Sequence, residues 1–169
     1  MANVRNDNTP TPPRDVADWH DYFMNLARTV ATRSKDPNTQ HGCVIVDSAH
    51  RVVSTGYNGG CRRIPDDRVD WSRPNKYGFV IHSEENALWH AQRLDLDGCD
   101  LYVTGQPCSR CMLRIAHVGV SRVIYGTTQS VCVDGDDWSL TLLIAELAGV
   151  RMLHYDGETV HEITKEKSA

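Results

Sequence analysis

The chain has 169 residues, enough for one domain with a substantial core and short of two ordinary ones. It is 40% hydrophobic and 24% charged, the balance of a globular protein, and no apolar run approaches the roughly 18 residues of a membrane span. A net charge of −4 argues against a general polynucleotide binder, which would carry a basic surface. A small anionic substrate needs only a few local cations, for which Arg28, Arg33, Lys35, Arg62 and Arg63 are candidates.

Residues 1–13 are polar and Pro-containing, without the apolar stretch of a signal peptide. They read as a disordered tail on a single domain spanning 14–169, and a cytoplasmic protein is the expectation. Over residues 15–33, Trp19, Phe23, Leu26 and Val30 recur at steps of four, three and four, which predicts an amphipathic helix. Ser34-Lys-Asp-Pro-Asn38 ends it, because Pro37 disfavours helix at the residue before it. Gly42-Cys-Val-Ile-Val46 and Arg51-Val-Val-Ser-Thr55 flank a turn and predict a hairpin.

Gly56-Tyr-Asn-Gly-Gly60 is a loop, and residues 61–79 form a polar insertion of a length often tied to function. A helix is predicted over 82–93, with Ala87, Leu88 and Ala91 facing inward, then a strand over 100–104. There follow a helix over 109–117, a strand over 122–125, a helix over 137–148 with Asp136 or Asp137 near its start, and a strand over 150–154. This order predicts an α/β fold of three α-β-α layers around a mixed five-stranded sheet.

Two segments carry chemistry. His82-Ser-Glu84-Glu-Asn-Ala87 and Pro107-Cys108-Ser-Arg-Cys111 each fall at a predicted helix start, where partial positive charge favours thiolates. One imidazole and two thiolates give a ligand charge that balances Zn²⁺, and three protein ligands leave the fourth tetrahedral position open, as catalytic zinc requires. Glu84, two residues after His82, is the proton carrier of the pattern H-x-E…P-C-x-x-C, the signature of zinc nucleobase deaminases. A purely structural zinc would need a fourth ligand from His90, His117 or Cys99, and a redox dithiol would leave His82 and Glu84 unexplained. The other cysteines, Cys43, Cys61, Cys99 and Cys132, read as buried free thiols.

From about Leu26 to Val150 the chain resembles the deoxycytidylate (dCMP) deaminases of the cytidine deaminase superfamily. Beyond the zinc motif, Ser34-Lys-Asp-Pro-Asn-Thr-Gln40, Ser54-Thr-Gly-Tyr-Asn-Gly59 and Leu101-Tyr-Val-Thr104 carry the resemblance. It implies a cytidine-deaminase-like fold and hydrolysis of dCMP to dUMP and ammonia, feeding dTMP synthesis. Zinc would be held by His82, Cys108 and Cys111, with Glu84 as acid and base. Asn58 would meet the sugar 3′ hydroxyl, and Ser34 and Lys35 the 5′-phosphate. The resemblance further implies a homo-oligomer, with a hexamer favoured, activated by dCTP and inhibited by dTTP with Mg²⁺ near Gly59, Gly60, Arg62 and Arg63.

The chain departs from the family pattern at Ser83, where alanine is usual, at His41-Gly-Cys43, where Val-Gly-Ala is usual, and at Gly105-Gln106, where a large apolar pair is usual. Cys43, Gly105 and Gln106 are therefore specificity candidates, with a widened pocket for a 5-methyl or 5-hydroxymethyl cytosine as the expectation. Deamination of a free base, a nucleoside, a pterin- or flavin-pathway intermediate or a polynucleotide are rival readings. An inactive nucleotide-binding zinc subunit is the non-enzymatic one, and the intact Glu84 stands against it.

Overall fold

A computed structural model describes residues 13–128, 130 and 135–163, apart from the side chain of Asp136. The predicted tail thus lies outside the described residues except for Pro13, as does Cys132. Among the described residues four α-helices, α1 (Trp19–Ala31), α2 (Ser83–His90), α3 (Ser109–His117) and α4 (Gly135–Ala148), pack around a sheet. Its strands run in the order β2 (Val52–Tyr57), β1 (Gly42–Val46), β5 (Asp100–Gly105), β6 (Arg122–Thr128), β7 (Arg151–Tyr155) and β8 (Val160–Glu162). A separate two-stranded ribbon pairs β3 (Gly59–Gly60) with β4 (Val80–Ile81). β5, β6 and β7 are parallel, while β1 runs antiparallel to both its neighbours and β8 is antiparallel to β7. The sheet is mixed as predicted, with six strands where five were expected. The extra one, β8, follows a turn around Gly157 and buries little, so its sequence lacks an apolar signal.

Alternation along the strands sorts the core into two clusters. Cys43, Ile45, Leu101, Val103, Val123 and Tyr125 face the side that α2 and α3 cover with Ala87, Met112 and Ile115, and α4 with Ala145. Val44, Val46, Tyr102, Ile124 and Leu153 point the other way, onto Phe23, Met24 and Ala27 of α1. The buried face of α1 is centred on Phe23, Met24, Ala27 and Ala31 rather than on the predicted stripe, and Trp19 stays 49% exposed. Close approach explains the shift. A Cβ on Gly42 would lie 2.0 Å from the Ala27 carbonyl oxygen, so the helix backbone rests on the strand and its small residues face inward. Gly56 does the same for α2, where a Cβ would lie 2.3 Å from both the Ser83 carbonyl oxygen and the Ala87 nitrogen. No helix among the described residues is long and apolar enough to cross a membrane.

Candidate metal centre and cavity

His82 is the residue just before α2, Cys108 the residue just before α3, and Cys111 lies in the first turn of α3. One ligand atom from each lies within 4.8 Å of the others. His82 Nδ1 is 3.5 Å from the Cys108 sulfur and 3.3 Å from the Cys111 sulfur. Zinc with Zn–S of about 2.3 Å and Zn–N of about 2.0–2.1 Å has tetrahedral S···N edges of about 3.6 Å, so the three donors fit that ion. The cluster holds no fourth donor among the described residues. His90 instead faces the Thr55 carbonyl and Arg62, and the Cys99 sulfur accepts from Arg93, which removes both as structural-zinc ligands. The Cys111 hydrogen bond pulls the Cys108 thiol down to about 4, with the nearby imidazole assisting against burial. Cys111, sharing that hydrogen bond and buried, is pushed well above its ordinary value.

The two ligand-bearing helices are tied together. The Glu85 carboxylate accepts the His82 backbone N–H at 3.4 Å and pairs with Arg114 of α3 at 3.0 Å. Asp137 of α4 accepts both the backbone N–H and the hydroxyl of Ser109, at 3.1 and 2.6 Å, and so caps α3 beside Cys108.

A cavity of about 290 Å³ opens onto the cluster, at the C-terminal end of β5. In open α/β sheets ligands bind in the crevice outside the carboxyl ends of the strands. Glu84 lines it, only 5% exposed, and its Oε2 accepts the Ser83 hydroxyl at 2.8 Å. Asn58, Gly105 and Gln106 line it too. The Asn58 amide is also a latch: its oxygen accepts the His41 N–H at 2.7 Å and its nitrogen donates to the Thr39 carbonyl at 2.9 Å. Ser34 stands behind, donating to the Asn58 carbonyl at 2.7 Å, and neither it nor Lys35 lines the cavity. Lys35 is exposed and paired with Asp66. Cys43 is wholly buried in the core, away from the lining.

The five cations named from the sequence are absent from the lining, and two others are present. Lys76, only 2% exposed, donates to both oxygens of Asp36 at 2.7 and 2.6 Å, and both residues line the cavity. Arg110 lines it as an exposed side chain. Lys76 belongs to the 61–79 insertion, whose length was the one sequence signal that could have found it. His41, also lining the cavity, had stood out merely as a departure from a family pattern.

Residues 17–127 match the family profile described as the cytidine and deoxycytidylate deaminase zinc-binding region. The human deoxycytidylate deaminase is 37% identical over 142 residues, covering 80% of this chain and 79% of that protein. The deoxycytidylate deaminase of Mycobacterium phage D29 is 37% identical over 121 residues, 64% of this chain and 94% of that protein. The dCMP deaminase of cyanophage S-TIM5 superposes with a TM-score of 0.62 at 22% identity, over 80% of this chain and 95% of that one, a likeness of fold. Spacing of donors, helix starts and sequence relationship agree, and the chain belongs to the cytidine and deoxycytidylate deaminase zinc-binding family.

Proposed function

We propose that this chain hydrolyses the 4-amino group of dCMP, giving dUMP and ammonia, and so supplies dTMP synthesis. The observation that carries the reading is the placement of a buried carboxylate, Glu84, in the same cavity as the His82 and Cys108 donors, with Cys111 completing their cluster. When bound there, zinc supplies Lewis acidity that makes water a competent nucleophile near neutral pH. Glu84 takes a proton from the attacking water and delivers it to ring N3, then takes the proton of the new C4 hydroxyl and passes it to the departing amino group, so that the C4 carbonyl forms as ammonia leaves. The Ser83 hydroxyl fixes one oxygen of that carboxylate, leaving the other to carry the proton. Asn58 and Gln106 supply amides along the cavity wall, with Asn58 the group for the sugar hydroxyl. The phosphate takes Arg110 and Lys76 as its nearest cations, in place of Lys35.

Ammonia release from dCMP, deoxycytidine and the 5-methyl and 5-hydroxymethyl analogues of dCMP tests the reading. Activity on dCMP well above deoxycytidine is expected, and the opposite order overturns the phosphate part. Glu84→Gln is expected to keep fold and zinc content while losing about 10²–10⁴ in kcat. Full turnover in that variant removes the mechanism. The family resemblance also supports a cytoplasmic homo-oligomer, a hexamer by preference, activated by dCTP and inhibited by dTTP with Mg²⁺. Arg62, which reaches His90 beside the Gly59–Gly60 strand, is the local cation for that regulation. Activity unchanged by either nucleotide would dismiss it.

A further inference from the structure

Gly105 does not leave an opening. A Cβ there would lie 2.3 Å from the Thr128 carbonyl oxygen, 2.7 Å from Cε1 of His41 and 2.9 Å from the Ser130 hydroxyl. The two departures read separately in the sequence are one arrangement, in which the His41 ring lies against the bare backbone of residue 105. The ring is held on its other side, because His41 Nδ1 is 3.2 Å from the Thr104 hydroxyl, which also accepts the Gly42 N–H at 3.2 Å. Its backbone is fixed by the Asn58 amide. Among the described residues Nε2 has no partner, and the ring lines the cavity. Burial lowers the proton affinity of this imidazole, which keeps it neutral with one N–H to donate.

We propose that His41 is a substrate-binding residue of this enzyme, with Nε2 donating to an acceptor on the pyrimidine rather than on the phosphate. The place of the ring supports the base. It touches residue 105, three positions before the Cys108 donor, whereas the 5′-phosphate is the end of the nucleotide farthest from the reacting C4. Thr104 and the Gly105 backbone hold the ring before substrate arrives, so the donor loses little freedom on binding. The inference rests on the dCMP reading above.

Two substitutions separate contact from packing. The amide oxygen of His41→Asn falls near the position of Nδ1, keeping the bond from the Thr104 hydroxyl and lacking Nε2. His41→Gln extends an amide nitrogen toward the position of Nε2. In the full-length zinc-loaded protein, His41→Asn is expected to lower kcat/KM about tenfold on both dCMP and deoxycytidine, with the melting temperature unchanged. His41→Gln is expected to recover most of the loss. The stabilisation of the protein by dUMP, read as a thermal shift, should fall and recover in the same order. Wild-type kinetics in His41→Asn, or equal losses in the two variants, overturn the proposal. A loss confined to dCMP moves the contact to the phosphate and overturns it too. Wild-type protein inert toward dCMP but stabilised by dUMP sinks the activity and leaves the His41 comparison to be decided by binding. Failure of both overturns both.

Discussion

Two thiols facing one imidazole have very different proton affinities, because Cys111 donates the hydrogen bond that stabilises the Cys108 thiolate. Metal binding needs both sulfurs deprotonated, so it displaces the proton that Cys111 retains. Zinc affinity is therefore expected to weaken as pH falls, and binding in weakly buffered solution to release protons. Cys111→Ser should leave the purified protein deficient in zinc by elemental analysis; a stoichiometric metal content in that variant would mean the cluster is not the zinc site. His82, Glu84, Cys108 and Cys111 were legible in the sequence because each lies at the start of its helix, where local spacing decides which side chains converge. Lys76 and Asp36 were not. They are forty positions apart, and neither has a local pattern announcing the other. Lys35 illustrates the converse, a cation next to a family motif that points to solvent and Asp66 instead.

Among the elements, the most apolar were read best. β1 was predicted over the residues it occupies, since it lies between β2 and β5 and is buried along its whole length. α1 was found but rotated, because glycine at 42 rewards small residues on the helix face, a preference that hydrophobic periodicity cannot register. α2 ends at His90, earlier than the predicted residue 93, with Gln92 at positive φ just beyond it. The start of α3 matters most for the site, and it depends on a side chain from another helix. Ser109 presents its N–H and hydroxyl to Asp137, so α4 holds the segment that carries both cysteines. Asp137→Ala removes that cap at a cost of about 1 kcal/mol, expected as a fall of about 2–4 °C in melting temperature. Zinc should also dissociate faster from the variant in a chelator competition. An unaltered dissociation rate would mean that α3 holds its ligands without α4.

On the scale of the whole molecule, the cavity wall is built from two distant loops. Asn38 donates to the Trp71 carbonyl at 3.4 Å, Arg73 to the Thr39 hydroxyl at 3.1 Å, and Lys35 pairs with Asp66. The buried pair of Lys76 and Asp36 sits at the centre of these contacts, and it differs from them in energy. An exposed pair such as Lys35 with Asp66 contributes at most about 1 kcal/mol, whereas removing one member of a buried pair strands a charge at a cost of about 3–5 kcal/mol. Burial pushes the Asp36 carboxyl up, but the Lys76 hydrogen bond and the Asn38 and Thr39 N–H groups outweigh it and hold it below its ordinary value. The pair's contribution is therefore present above the unfolded carboxylate pKa of about 3.9 and is lost as pH falls through the lower folded value. Lys76→Met takes away the chief opposing influence and leaves the buried Asp36 carboxylate with only the Asn38 and Thr39 N–H groups, so its proton affinity is expected to rise and the variant to lack the stability that wild type gains as pH rises. The melting temperatures of wild type and variant should accordingly lie farthest apart near neutrality, by roughly 10 °C, and converge in acid. Adding Asp36→Leu to Lys76→Met should restore much of the neutral-pH loss, since no charge is then stranded. A gap that stays constant from pH 7 into acid, or a double variant no better than the single one, would show that this wall is held by its surface contacts and not by the buried pair.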